Sequence, residues 1–167
     1  MSENFIQKLL MYAQRPDVGA AIPVLTDGKN HIVHAGYAVN PQGALRCRNK
    51  GLRYTAGGWH LLAMQSHNVA TMAMVCVMVR RDAWTPLQEF DGTACAGADW
   101  GLRLLQKGLH HVYTPHAHAV CRDTHVLEIP PADAQRIAAA WQGFHDPCYP
   151  AACDPEKTDF SLRRKPL

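Results

Sequence analysis

Apolar positions recur at helical spacing near the start of the chain. Over residues 3–14, Phe5, Ile6, Leu9, Leu10 and Ala13 fall on one face, Ser2 stands where a cap would, and Arg15-Pro16 ends the run. The spacing predicts a helix. Val18 to Leu25 (VGAAIPVL) is almost wholly apolar, the pattern of a strand buried on both faces. Asp27-Gly28 signals a turn, His31 to Val39 reads as a second strand, and Pro41-Gln42-Gly43 closes it. Val69 to Val79 is a third apolar stretch, rich in Val and Met and short for a buried helix, so a central strand is expected there. Asp99 is placed to cap a helix running to about Lys107, with Leu102, Leu105 and Leu109 inward and Gly108 as the stop. His110 to Thr114 and Ala117 to Cys121 read as short strands around Pro115. Pro131 opens a last helix whose Ala134, Ile137, Ala138, Trp141 and Phe144 form its apolar face. From Asp146 onward Pro147, Pro150 and Pro155 argue for an extended tail, which divides the chain into a body, 1–145, and a tail, 146–167. Strands and helices alternate loosely, so a mixed α/β sheet with flanking helices is expected.

Composition narrows the function classes. The chain has 167 residues and a formal charge of +3, a bias too small to argue for nucleic acid. The longest apolar run has 11 residues, whereas a spanning helix needs about 20, so no transmembrane segment is expected. MSENFIQKLL carries Glu3 and no basic start, unlike a signal peptide, and a cytoplasmic location is expected. The six cysteines show no CxxC spacing and read as free thiols of a reducing compartment.

Candidate chemistry is sparse. Arg46, Arg48, Lys50 and Arg53 lie in an irregular stretch, either a solvated loop or a basic loop over an oxyanion-bearing ligand. Among ten histidines, His31 and His34 point to opposite faces of a strand, while His116 and His118 share one and could chelate together. No GxSxG, Walker or Rossmann glycine pattern occurs. Asp91, after Phe90, and Asp99, at a helix start, are the candidate acids, each also readable as a plain turn or cap residue.

The order of short motifs carries a resemblance. Residues 12–20 (YAQRPDVGA) precede Asp27-Gly28 and His34-Ala35-Gly36. Asn68-Val69-Ala70 leads into CVMVRR at 76–81, followed by Phe90-Asp91, then Asp99-Trp100-Gly101-Leu102-Arg103-Leu104, Gly108 and Tyr113-Thr114-Pro115-His116-Ala117. The end, DPCYP at 146–150 and Asp159-Phe160-Ser161-Leu162, is similar to a DPYYNPN and DFSL tail. Together they resemble the C-terminal half of bacterial family 2 glycosyltransferases of the GT-A fold, rhamnosyltransferase-like members of polysaccharide or O-antigen assembly.

That resemblance implies a partial GT-A-like mixed sheet, lacking the N-terminal nucleotide-binding half and its DxD motif. It implies the acceptor side of an inverting transferase, with Asp99 as the catalytic acid-base candidate and Asp91 as an acceptor-orienting group. Asn68, His34, Arg103 and Trp100 fall at positions implied to bind substrate. The family's general base aligns with Gly97, and its metal-holding histidine with Cys121 or Arg122, near His125. No metal and no cofactor is therefore expected on this chain alone. A divalent cation, Mn or Mg, would enter with a nucleotide-binding half. The expected partners are a sugar acceptor, a second copy of the chain, or a complementing nucleotide-binding chain that would make a split active enzyme. The missing half would leave the Val18–Leu25 strand uncovered and prone to association. A metal- or thiol-binding protein using its His and Cys is the reading unrelated to sugars.

Overall fold

The computed structural model describes residues 1–154, 156, 157 and 160–163; Pro155 and Asp159, both singled out in the sequence, lie outside the described residues. Helix α1 (Phe5–Ala13) leads into the central strand β1 (Val18–Thr26), followed by the short strands β2 (Ile32–His34), β3 (Tyr37–Val39), β4 (Leu45–Cys47), β5 (His67–Val69) and β6 (Met78–Val79). Helix α2 (Thr93–Gln106), strand β7 (His110–Val120) and helix α3 (Pro131–Ala140) complete the order. The main sheet runs β2-β1-β7-β5, with β6 paired beside β2 on β1, while β3 and β4 form a separate hairpin. Among the described residues only the β1–β7 pair is parallel; β2, β6 and β5 join antiparallel. A mixed α/β sheet with flanking helices is what the apolar pattern predicts.

Strand β1 is buried along its whole length because both faces are covered. Ala21 and Leu25 pack with Phe5, Leu9 and Ala13 of α1, whereas Ala20, Ile22 and Val24 pack with Trp100 and Leu104 of α2. This period-2 division is the pleat expressed in side chains. It corrects the expectation that β1 would present an open apolar face: the chain supplies both covers itself. On α1, by contrast, Ile6 and Leu10 are exposed rather than inward. Ser2 does not cap α1 either, since its backbone N–H donates to the His118 carbonyl (2.7 Å) and its hydroxyl accepts from His118 N–H (3.1 Å).

Three other expectations change. The 31–39 segment breaks at Gly36, whose φ of +85° ends β2 and starts the hairpin. The apolar run 69–79 is not one strand; its two ends pair, Thr71 makes a single bridge to Tyr37, and the rest of residues 70–77 crosses the core as irregular backbone. That crossing stays satisfied because the Ala73 N–H donates to His34 Nε2 (3.2 Å), Met74 N–H to the Thr93 carbonyl (3.3 Å) and Tyr37 N–H to the Thr71 carbonyl (2.8 Å). Third, α2 begins at Thr93, so Asp99 lies inside the helix and caps nothing. Its end is as expected: Gly108, at φ +84°, lets the Leu109 N–H reach back to the Leu104 carbonyl (3.1 Å).

Strand β7 is continuous, but its register against β1 jumps from Pro23–Thr114 to Val24–His118, so the expected interruption at Pro115 survives as a bulge. Helix α3 is held to the start of α2 by the fully buried Asp133, whose Oδ2 accepts the Gly92 N–H at 2.8 Å. The described part of the tail packs on β3: Asp146 accepts from Val39 N–H (3.0 Å), and Tyr149 stacks on Phe160 with ring centres 4.9 Å apart.

Candidate active site

Asp99 and Arg103 lie one turn apart on α2 and share a face. The Arg103 Nε–H donates to Asp99 Oδ2 at 2.8 Å, and the Trp141 indole N–H donates to Oδ1 at 3.1 Å. Arg103 is fixed from its other end, where Nη2 donates to the Pro86 carbonyl at 3.2 Å. Each Asp99 oxygen thus has one charged or aromatic donor and keeps a second lone pair. The Asp99 side chain is 6% exposed against 28% for Arg103, so the carboxylate forms the floor and the guanidinium the flank.

They border a cleft of about 450 Å³ whose walls include Gln88, Gln106, Gln142 and Phe144. Phe144 meets Trp141 edge to face, ring centres 5.7 Å apart. A carboxylate, a guanidinium, amide side chains and an aromatic edge are the groups that bind a polyhydroxylated ligand: hydroxyls take the polar groups and C–H faces take the ring. A larger hollow of about 570 Å³ lies among Val33, Tyr37, Lys50, Leu127 and Glu128. Arg46 on its rim is already paired with Glu156 at 2.6 Å, and Cys47 at its wall has its thiol pushed up to about 11 by burial. It offers no comparable convergence of groups.

The remaining candidates lie apart from this cleft. Trp100, the next residue on α2, turns into the core instead, fully buried between Trp84 and His111. His34 is buried beneath the hairpin, accepting the Ala73 N–H, and burial lowers its pKa to about 4. Asn68 is exposed on β5 and contributes its carbonyl to Arg48 (3.1 Å). Asp91 is exposed in the turn before α2. Only Asp99 and Arg103 come together.

Gly97, where the resembled family would carry its base, sits against the 72–74 backbone. A Cβ there would stand 2.4 Å from Met74 N and 2.9 Å from both the Ala73 carbonyl carbon and the Met72 oxygen. A Cβ on Gly101, one turn on, would likewise stand 2.3 Å from Thr71 Oγ1. Two glycines on one face let α2 lie directly on the crossing segment, and no acidic side chain has room at 97.

Sequence reading missed Trp141 and the glutamines. Trp141 had a usable signal: a tryptophan at a helix end needs a partner for its N–H, and Asp99 is that partner. Residues 88, 106 and 142 carry no such mark. As to metals, the His118 Nε2 is engaged with Thr26 Oγ1 at 2.7 Å, and the ring stacks on Tyr54. His125 pairs with Glu128 at 2.9 Å, and the Cys121 thiol donates to the Asp123 carbonyl at 3.1 Å. Among the described residues no group of three or more His, Cys, Asp or Glu could hold a metal ion. Nor is any helix among them long and apolar enough to cross a membrane.

No protein-family model, curated protein or solved structure matches this chain.

Proposed function

We propose that this chain is a glycosyltransferase-like protein, the acceptor-side half of an inverting nucleotide-sugar transferase, and that it holds a sugar acceptor in the Asp99 cleft without catalysing transfer alone. One observation carries the reading: Asp99, doubly bonded by Arg103 and Trp141, sits at the floor of a cleft walled by amides and an aromatic ring. The motif order and the mixed sheet support it further. The nucleotide-binding half and its DxD motif are not in this sequence.

In a completed enzyme, Asp99 would accept the proton of an acceptor hydroxyl. That oxygen would bond to the anomeric carbon as the bond to the nucleoside diphosphate breaks. A second reading, a split transferase completed by another chain, is favoured by one feature: β6 is two residues long and pairs only with β1 among the described residues. Its other side is a strand edge to which a further strand could add.

The experiment is a titration followed by calorimetry and by the Trp141 indole N–H resonance. Oligosaccharides with rhamnose, glucose or N-acetylglucosamine ends should move that resonance, and the Asp99→Asn variant should bind them more weakly. UDP-, GDP- and dTDP-sugars with Mn²⁺ should bind no tighter than about 1 mM, roughly −4 kcal/mol. Micromolar nucleotide-sugar affinity, or saccharides that leave Trp141 unmoved, would refute the proposal.

A further inference from the structure

Arg48 follows β4 and is only 2% exposed, yet no carboxylate among the described residues forms an ion pair with it. Its guanidinium lies over the Phe160 ring, 4.3 Å from the centre. Its side chain makes one hydrogen bond among the described residues, from Nη1 to the Asn68 carbonyl, and its Nε is buried with no partner. A guanidinium has five N–H donors, so most of this one's capacity is unused. Asp146, the acid in its field, has its two oxygens bonded to the N–H groups of Val39 and Cys148. Burying a cation without hydrogen-bonded compensation is costly.

A second orphan stands beside it. His67 uses Nδ1 to donate to the Gln65 carbonyl (2.8 Å), which leaves Nε2 as a bare acceptor, buried and without a partner among the described residues. Burial and the nearby Arg48 charge lower the His67 pKa to about 4, so the ring is neutral at physiological pH. Both residues line a cavity of about 330 Å³ completed by Leu62, Asn68, Cys148, Pro150 and Phe160. None of these lines the Asp99 cleft.

We propose that this cavity is a binding site for a small hydroxycarboxylate with a compact apolar body. The carboxylate accepts from the unused N–H groups of Arg48, and the hydroxyl donates to His67 Nε2. A single cation in apolar walls matches a monoanion; a phosphate dianion would bring in a charge that nothing there answers. The apolar body takes the space between Leu62 and Pro150.

The test uses 4-hydroxybenzoate, benzoate and inorganic phosphate against the whole chain at pH 7.5, read by calorimetry and by the Asn68 side-chain resonance. The expected result is binding of 4-hydroxybenzoate below about 1 mM, benzoate several-fold weaker and phosphate undetectable. Arg48→Leu should lose at least about tenfold in affinity, and His67→Phe should reduce 4-hydroxybenzoate to the level of benzoate. Leu62→Trp, which fills the cavity and leaves Arg48 in place, should abolish binding. If Arg48→Leu does not fold, Arg48→Lys keeps the charge and loses the fork, and should still weaken binding. No binding of either carboxylate at about 10 mM would overturn the proposal. So would phosphate binding tighter than both, or affinity unchanged in Leu62→Trp.

Discussion

Replacing Gly97 by Ala sets two known effects against each other. In the helix interior the change gains about 1 kcal/mol of propensity. Against that, the new methyl would stand 2.4 Å from Met74 N, about 1 Å inside ordinary van der Waals contact, and 2.9 Å from two further backbone atoms. All three are main-chain atoms, so no rotamer change relieves the clash. The segment that would have to retreat is pinned by the Ala73–His34 and Met74–Thr93 hydrogen bonds. Overpacking of this kind costs about 1–3 kcal/mol, and with a pinned backbone the upper end applies. The net expectation is a loss of about 1–2 kcal/mol, a fall in Tm of roughly 2–8 °C for a chain of this size. Urea unfolding with far-UV detection measures it directly. Gly28→Ala is the control, since nothing lies within 4 Å of a Cβ there. Should Gly97→Ala match or exceed the parent in midpoint at unchanged slope, α2 does not rest on the 72–74 backbone, and the explanation for the absent acid at 97 falls with it.

Three further outcomes are expected. Asp99→Asn keeps an acceptor but not a charge, so the Arg103 contact weakens and stability drops by about 1–2 kcal/mol in urea titration; an unchanged midpoint would mean the pair is idle. The buried rings of His34, His67 and His111 have pKa values lowered to about 4 from an unfolded value of 6.5, so the unfolded state binds more protons in between. Their stabilisation is complete above pH 6.5 and lost as pH falls toward 4, roughly 3–4 kcal/mol between pH 7.5 and 5.5, and a flat urea midpoint over that interval would contradict it. Burial pushes the Cys47 and Cys95 thiols up to about 11 and Cys148 to about 12. Iodoacetamide at pH 8 should therefore label these three in urea but scarcely at all in the native protein, as mass spectrometry of the peptides would show.

Much of the framework was readable because its signals are local. The α1 run, the unbroken apolar β1, Gly108 and Pro131 each declare an element within a few residues. What failed depended on contacts distant in sequence. Val69 to Val79 has the composition of a strand, but its amides find His34 and Thr93 instead of a neighbouring strand. The start of α2 was placed six residues late because Ala94, Gly97 and Ala98 look unremarkable until seen as the small face that lies on that segment. At the site, the Asp99–Arg103 pair follows from i,i+4 spacing alone. The cleft does not, since Gln88, Trp141 and Phe144 reach it from segments separated by up to 56 positions, and only the tertiary fold says so.

The parallel pairing of β1 with β7 has a consequence for the order in which this molecule comes into being. Val18 pairs with His110 and Thr26 with Val120, so the central strand waits for a partner synthesised more than 80 residues later. Until then nine consecutive residues that end up buried have only the helices α1 and α2 and the short strands β2 and β6 for cover. Closing so long a loop before any reward is a slow, entropy-limited step, and chains stalled short of it are prone to stick to one another. A ribosome-bound chain ending near Lys107 should engage a chaperone, and release into a compact state should begin only once Val120 has left the exit tunnel.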